Sequence, residues 1–306
     1  MKTYKLHSIL FLVLFARFAS AQVIMPLFPK CEDFSDIKGS KIIVGLMDTT
    51  DKKQNFPRFY NNNIMRAVKA ELKFCNYEFG NISDFVDMKK AKEDVYLLIP
   101  VDIDHINLSA DFLKRERFSA IISYLQIGKA SDLKIKKKLL KNYNLVFNKY
   151  KLTAVCGSYD LISMVTSIHE MDEKVKYTCA TKEEKKEING GMRDATILRT
   201  KTLLFDKDML PKDMTEAKLT EIYKYPFKIV DVKEIEQAIL NKESDKAFIH
   251  TEPISDSKAM DGVFVKPCDN LTYAVVIVQG RGDGNEIGER KLKEINELVS
   301  REKKKK

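Results

Sequence analysis

The chain has 306 residues, 44% hydrophobic and 32% charged, with a formal net charge of +9 at pH 7. That balance excludes a disordered polymer and leaves room for one large globular domain or two of ordinary size. The charge sits at the ends, with Lys2, Lys5 and Arg17 at the start and Lys303, Lys304, Lys305 and Lys306 at the finish. The body between is only slightly basic and carries no nucleic-acid-binding motif, so nucleic acid is not an expected partner.

Residues 1–21 read as a secretory signal peptide. Lys2 and Lys5 form its basic start, residues 9–15 (ILFLVLF) its apolar core, and Ala19-Ser20-Ala21 a small-x-small cleavage site. Cleavage near Ala21-Gln22 would release a protein exported to a periplasm or the extracellular space. The apolar core is far shorter than the ~20 residues of a membrane helix, and no later run approaches that length. No transmembrane segment is expected. Cys31, Cys75, Cys156, Cys179 and Cys268 would all enter an oxidising compartment. Five thiols cannot all pair within one chain, so buried thiols with one or two bridges are expected. The absence of Cys-x-x-Cys argues against a thioredoxin-type site or zinc ribbon.

Along the chain, residues 22–40 read as an irregular lead-in. Residues 41–47 (KIIVGLM) have the β-branched, continuous apolar character of a buried strand, ended by Asp48-Thr49-Thr50-Asp51. A helix follows over about 58–72, with Ile64, Val68 and Leu72 on one face. Further strands are expected over 74–79, over 95–103 with Pro100 at an edge or an end, over 118–127 and over 153–156. Residues 133–143 (LKIKKKLLKNY) suit a surface helix with its lysines in water. Residues 160–169 are helix-compatible, with His169 toward the end of the run, where the macrodipole favours it. Residues 181–194, nearly all polar and containing Asn189-Gly190-Gly191, read as a linker or hinge.

Beyond that break, 201–205 and 227–230 are predicted strands, and Thr215 caps a predicted helix. Asp231-x-x-Glu234 is a capping-box pattern before Ile235, Ala238 and Ile239. Strands over 247–249 and 273–278 and a final amphipathic helix over 286–300 complete the pattern. The alternation predicts an α/β fold with mixed or mostly parallel sheets, flanking helices and two lobes. The lobes would span 22–180 and 195–302, with a basic tail at 303–306.

Residues 227–250 (FKIVDVKEIEQAILNKESDKAFIH) resemble a recurring unit of exported two-lobe solute-binding proteins, and residues 41–47 resemble their first strand. The resemblance covers about 30 residues and implies a ligand cleft between two lobes. It assigns no ligand residue.

The chemical candidates are few. His250 and Glu252 follow a predicted strand, where carboxyl ends of parallel strands line ligand crevices. Arg281 and Asp283 lie in Gly280-Arg281-Gly282-Asp283-Gly284-Asn285, a glycine-rich turn ahead of the last helix. Asp102, Asp104 and His105 are the weak metal candidates, but strand alternation separates His105 from the two carboxylates, so no metal is expected. No Gly-x-Ser-x-Gly, P-loop or dinucleotide fingerprint occurs, and no cofactor is expected. Asn81, Asn107 and Asn270 begin glycosylation sequons. The leading expectation is a non-enzymatic exported protein that binds a small ligand or an envelope partner in an inter-lobe cleft. The alternatives are an envelope hydrolase or transferase built on carboxylates and one histidine, and an interaction protein whose basic segments meet an anionic surface.

Overall fold

The computed structural model describes residues 30–50, 55–106, 119–135, 145–185, 195–253, 260–271, 274–280 and 286–301. Residues 1–29, Asn107, Arg281, Asp283 and the lysine tail lie outside them, and Asp104, His105 and Glu252 are described by backbone alone.

The first half runs α1 (Glu32–Lys38), β1 (Lys41–Leu46), α2 (Asn55–Glu71), β2 (Asn76–Asn81), α3 (Phe85–Lys90), β3 (Tyr96–Ile106) and β4 (Ser119–Lys129). A small hairpin, β5 (Leu133–Ile135) and β6 (Leu145–Phe147), precedes β7 (Leu152–Gly157) and α4 (Leu161–Cys179). The second half runs β8 (Thr202–Asp206), α5 (Glu216–Ile222), β9 (Phe227–Val230), α6 (Val232–Leu240), β10 (Lys246–Pro253), β11 (Met260–Pro267), β12 (Val275–Gly280) and α7 (Glu289–Ser300). The fold is α/β, with two main mixed sheets and flanking helices.

The two sheets share one topology. The first is ordered β2-β1-β3-β4-β7 and the second β9-β8-β10-β11-β12. In each, the first strand pairs in parallel with the second and third, and the last two strands join through antiparallel pairings. Local chemistry repeats as well. Helices α3 and α6 both stop at a lysine in the left-handed region, Lys92 at φ 56° and Lys242 at φ 53°. In both, the following glutamate amide bonds back into the helix, Glu93 to the Met88 carbonyl (3.1 Å) and Glu243 to the Ala238 carbonyl (3.0 Å). This is a Schellman stop, usually made with glycine, used at the same place in each half.

Register carries the correspondence to single residues. Tyr96 pairs with Ile42 and Lys246 with Thr202, so Asp102 and Glu252, each six residues on, occupy the same position.

Helices α2, α4 and α6 form a shared layer between the sheets. Leu204 and Phe248 pack into the core that holds the first half, while Leu203, Phe205, Ala247 and Ile249 face a second core with α5 and α7. That split is the period-2 alternation of strands covered on both faces. Polar pairs stitch the layer: Glu71 meets His169 Nδ1 (3.0 Å) and Lys242 Nζ (2.9 Å), Arg66 meets Glu236 (3.4 Å), and Lys266 meets Glu170 (3.5 Å). On the far face of the first sheet, Gly45 lets Ile82 and Phe85 close in, because an added Cβ would stand 2.6 Å from the Ile82 side chain. A disulfide joins Cys31 to Cys179 across 148 residues, tying the start of α1 to the end of α4. In the chain-entropy account such a loop is worth about 5 kcal/mol. Cys75, Cys156 and Cys268 take no part in a disulfide.

Several local expectations change. The lead-in contains helix α1, with Phe34 and Ile37 fully buried. Residues 133–135 form a strand, because Leu133, Lys134 and Ile135 pair with Phe147, Val146 and Leu145; residues 136–144 lie outside the described residues. Strand β3 runs through Pro100, and it can do so because β1 stops pairing at Leu98, leaving that side open. His169 sits mid-helix, held by Glu71 and not by a helix end. His250 lies inside β10, opposite Phe264, and does not follow the strand. The capping box at Asp231 does not form: lysines draw both carboxylates away, Lys207 pairing with Asp231 and Lys228 with Glu234. Reciprocal capping bonds join Thr181 and Glu184 instead, within the stretch read as a linker.

Candidate functional site

Strands β1, β3 and β7 point the same way, so their carboxyl ends share one edge of the first sheet, and α2 and α4 begin there. Between β1 and β3 the chain connections diverge to opposite sides. Open α/β sheets form their ligand crevices at such switch points.

Asp102 stands at this edge. Its Oδ1 accepts two hydroxyl bonds, from Ser123 Oγ and from Tyr159 OH, each 2.8 Å. Ser123 lies directly across the β3–β4 ladder from Asp102. The β4–β7 register shifts between Ser123 and Tyr124, and Gly157 opposite Ser123 adopts φ 38°, a conformation suited to glycine. The bulge turns the chain so that Ser158, Tyr159 and Asp160 cross the top of the sheet.

Tyr159 is the keystone. Its ring meets Tyr60 edge-on (5.6 Å) and Phe56 edge-on (5.9 Å), and its carbonyl accepts from Asn63 Nδ2 (3.1 Å). Burial, reinforced by the Asp102 charge, pushes its phenol well above the usual range, so it remains a proton donor to Asp102 at any physiological pH. Tyr60 donates to the Gly45 carbonyl (3.1 Å), and Asn61 clasps both backbone groups of Met47 (2.8 and 2.9 Å), pinning the β1–α2 turn.

The α4 amino terminus is already occupied. Asp160 accepts from the Ser163 amide (2.8 Å) and hydroxyl (2.9 Å), and Ser158 Oγ also bonds to it. An anionic ligand would therefore meet a carboxylate where helix amides would otherwise attract it. Phe56, in ring contact with Tyr159, is 45% exposed and gives this acidic edge an aromatic face. Among the described residues, no lysine or arginine forms an ion pair with Asp102.

Comparisons with family models, with curated proteins and with solved structures give no match.

The sequence candidates fall in different places. Asp102 is in the site. Asp104 and His105 continue β3 at positions opposite Ile121 and Ala120, and no group of three metal-binding side chains occurs among the described residues. His250 is buried on a strand of the second sheet, two residues from Phe248 and so on the face toward the shared helical layer. Glu252 holds the second sheet's counterpart of the Asp102 position. Arg281 and Asp283 lie outside the described residues. Sequence reasoning missed Ser123, Tyr159 and Phe56; the Gly157-Ser158-Tyr159-Asp160 turn before a helix is a local signal for Tyr159, and Ser123 and Phe56 have none. No helix among the described residues is long and apolar enough to cross a membrane.

Proposed function

We propose that the chain is an exported, non-enzymatic binding protein that holds a small organic cation at the carboxyl edge of its first sheet. The observation that carries this reading is Asp102: a carboxylate held by two neutral hydroxyls beside the Phe56–Tyr159 aromatic corner. A carboxylate next to aromatic faces suits an ammonium group, which gains from charge and ring quadrupole together. Ser158 binds the capping carboxylate of Asp160, which is itself tied to Ser163, so this arrangement serves as a helix cap and not as a nucleophile with its base. The resemblance to exported solute-binding proteins supports the same class, as does the Cys31–Cys179 bridge, which suits an oxidising compartment.

A thermal-shift series tests the reading. Alkylamines and tetramethylammonium should raise the melting temperature, with stabilisation growing toward about 2.7 kcal/mol at a hundredfold excess over Kd. Asp102→Asn should abolish that shift. Equal stabilisation of wild type and Asp102→Asn, or a response confined to anions, would sink the assignment.

A further inference from the structure

The two halves, alike in strand order, differ in how they treat their outer strands. Among the described residues, β2 and β9 end their sheets on one side, as β7 and β12 do on the other, and no described strand pairs with their outer row of ladder groups. Such edges invite pairing with another chain unless they are short, charged with lysine, bulged or interrupted by proline. The β9 edge is the shorter, with only four residues (FKIV), and it carries a lysine, Lys228, which pairs with Glu234 (2.7 Å). The β2 edge has none of those devices. It has six residues (NYEFGN), no lysine and no proline, and it pairs with β1 in unbroken register from Lys41↔Asn76 to Leu46↔Asn81. Its one charge, Glu78, is taken up by Lys41 (2.6 Å), and Tyr77 and Phe79 stack edge-on (5.6 Å) along it.

The strand ends in Asn81, the first residue of the sequon Asn81-Ile82-Ser83. Asn81 is exposed with an extended backbone (φ −75°, ψ 134°). It occupies the cap position of the following 3₁₀ turn, yet its side chain makes no capping hydrogen bond. Asparagine is among the strongest capping residues, so the amide here is left available. We infer that Asn81 carries an N-linked glycan whose role is to guard the open β2 edge against pairing with a second copy of the chain. The inference shares with the proposed function only the assumption of export and does not depend on any ligand.

The chemistry is a transfer from a lipid-linked oligosaccharide diphosphate. The Asn81 amide nitrogen forms a bond to the sugar C1, the C1–oxygen bond to the diphosphate breaks, and the lipid diphosphate leaves. One amide proton is released, and no oxidant or reductant takes part. Because Ile82 is 1% exposed, an enzyme cannot embrace the folded tripeptide. Transfer therefore precedes closure of the sheet during export, and the folded state then displays the glycan at the rim.

The test uses the full chain secreted from insect cells. Intact mass before and after peptide-N-glycosidase should fall by one core oligosaccharide attributable to Asn81, with Asn81 converted to aspartate in its tryptic peptide. Asn81→Gln and Ser83→Ala should each remove that glycan. The second variant leaves Asn81 in place and disturbs only a surface hydrogen bond to Asp84, so it keeps the test valid if the first folds poorly. Both variants, and enzymatically deglycosylated protein, should show concentration-dependent self-association by sedimentation where the glycosylated protein stays monomeric. An unmodified Asn81 in the secreted protein overturns the site. A modified Asn81 whose removal leaves the protein equally monomeric overturns the guarding role.

Discussion

At the scale of single residues, the site depends on hydroxyls that hold a charge without neutralising it. Tyr159 spans both duties, its ring locked by Tyr60 and Phe56 and its hydroxyl aimed at Asp102. Replacing it by phenylalanine keeps the ring contacts and removes one hydrogen bond to an ionised group, a change of about 1.5 kcal/mol. Urea denaturation at neutral pH should show that loss for Tyr159→Phe and about 3 kcal/mol for Tyr159→Leu, which also gives up the aromatic packing. Equal stability of the two variants would mean that the ring contacts contribute nothing. Asp102 was visible in the sequence as part of an Asp-x-Asp-His cluster, but for chemistry its neighbours in sequence were the wrong partners. Its real partners arrive from β4 and from the turn after β7, 21 and 57 residues away. No local pattern records such distances, which is why the carboxylate could be named and its site could not.

At the scale of elements, an unbroken apolar run identified β1, and periodicity identified helices well wherever one apolar face dominated, as in α2, α6 and α7. It failed where tertiary pairing overrode local character. Residues 133–135 carry helix-compatible residues yet form a strand because residues 145–147 lie alongside. Strand β11 escaped notice because its MDGVFVKP run mixes charge and glycine with buried positions, and Lys266 is buried there beside Glu170. Caps follow the same rule: Asp231 has the right spacing but loses its capping role to a lysine, whereas Asp160 faces no such competitor. Helix α4 should therefore depend on Asp160. Asp160→Ala should destabilise the protein by about 1–2 kcal/mol, with hydrogen exchange rising at the Ser163 amide and its neighbours in the first turn. Asp160→Asn should recover most of the loss. Unchanged exchange at Ser163 in the alanine variant would show that the cap contributes nothing to the helix end.

For the whole molecule, the alternating pattern correctly indicated an α/β fold, but not that its two sheets repeat one topology or that a single helical layer serves both. The repeat is hidden because its residues differ while its register and helix stops agree. The shared layer is hidden because its polar joint is assembled from α2, α4 and Lys242, two residues past the end of α6. Glu71 is the centre of that joint, nearly fully buried, with His169 on one oxygen and Lys242 on the other. Burial alone would push its carboxyl up, but the hydrogen bonds and charges of His169 and Lys242 outweigh burial and hold it below the usual range. A carboxyl depressed in the folded state stabilises the fold above its unfolded pKa of about 4.3, and that contribution fades as pH falls through the lower folded value. Glu71→Gln should therefore flatten the acid limb of the stability profile below about pH 4.3. At pH 7 it should lower stability by about 2 kcal/mol, less than the 3–5 kcal/mol of a fully buried broken pair because Lys242 stays 40% exposed. Since Leu204 and Phe248 share a core with the first half, the loss should shift one cooperative transition and not split it. Urea unfolding followed through tyrosine fluorescence and far-ultraviolet circular dichroism should give coincident curves for wild type and variant. Two separated transitions in the wild type would show that the halves fold independently and that the joint couples nothing.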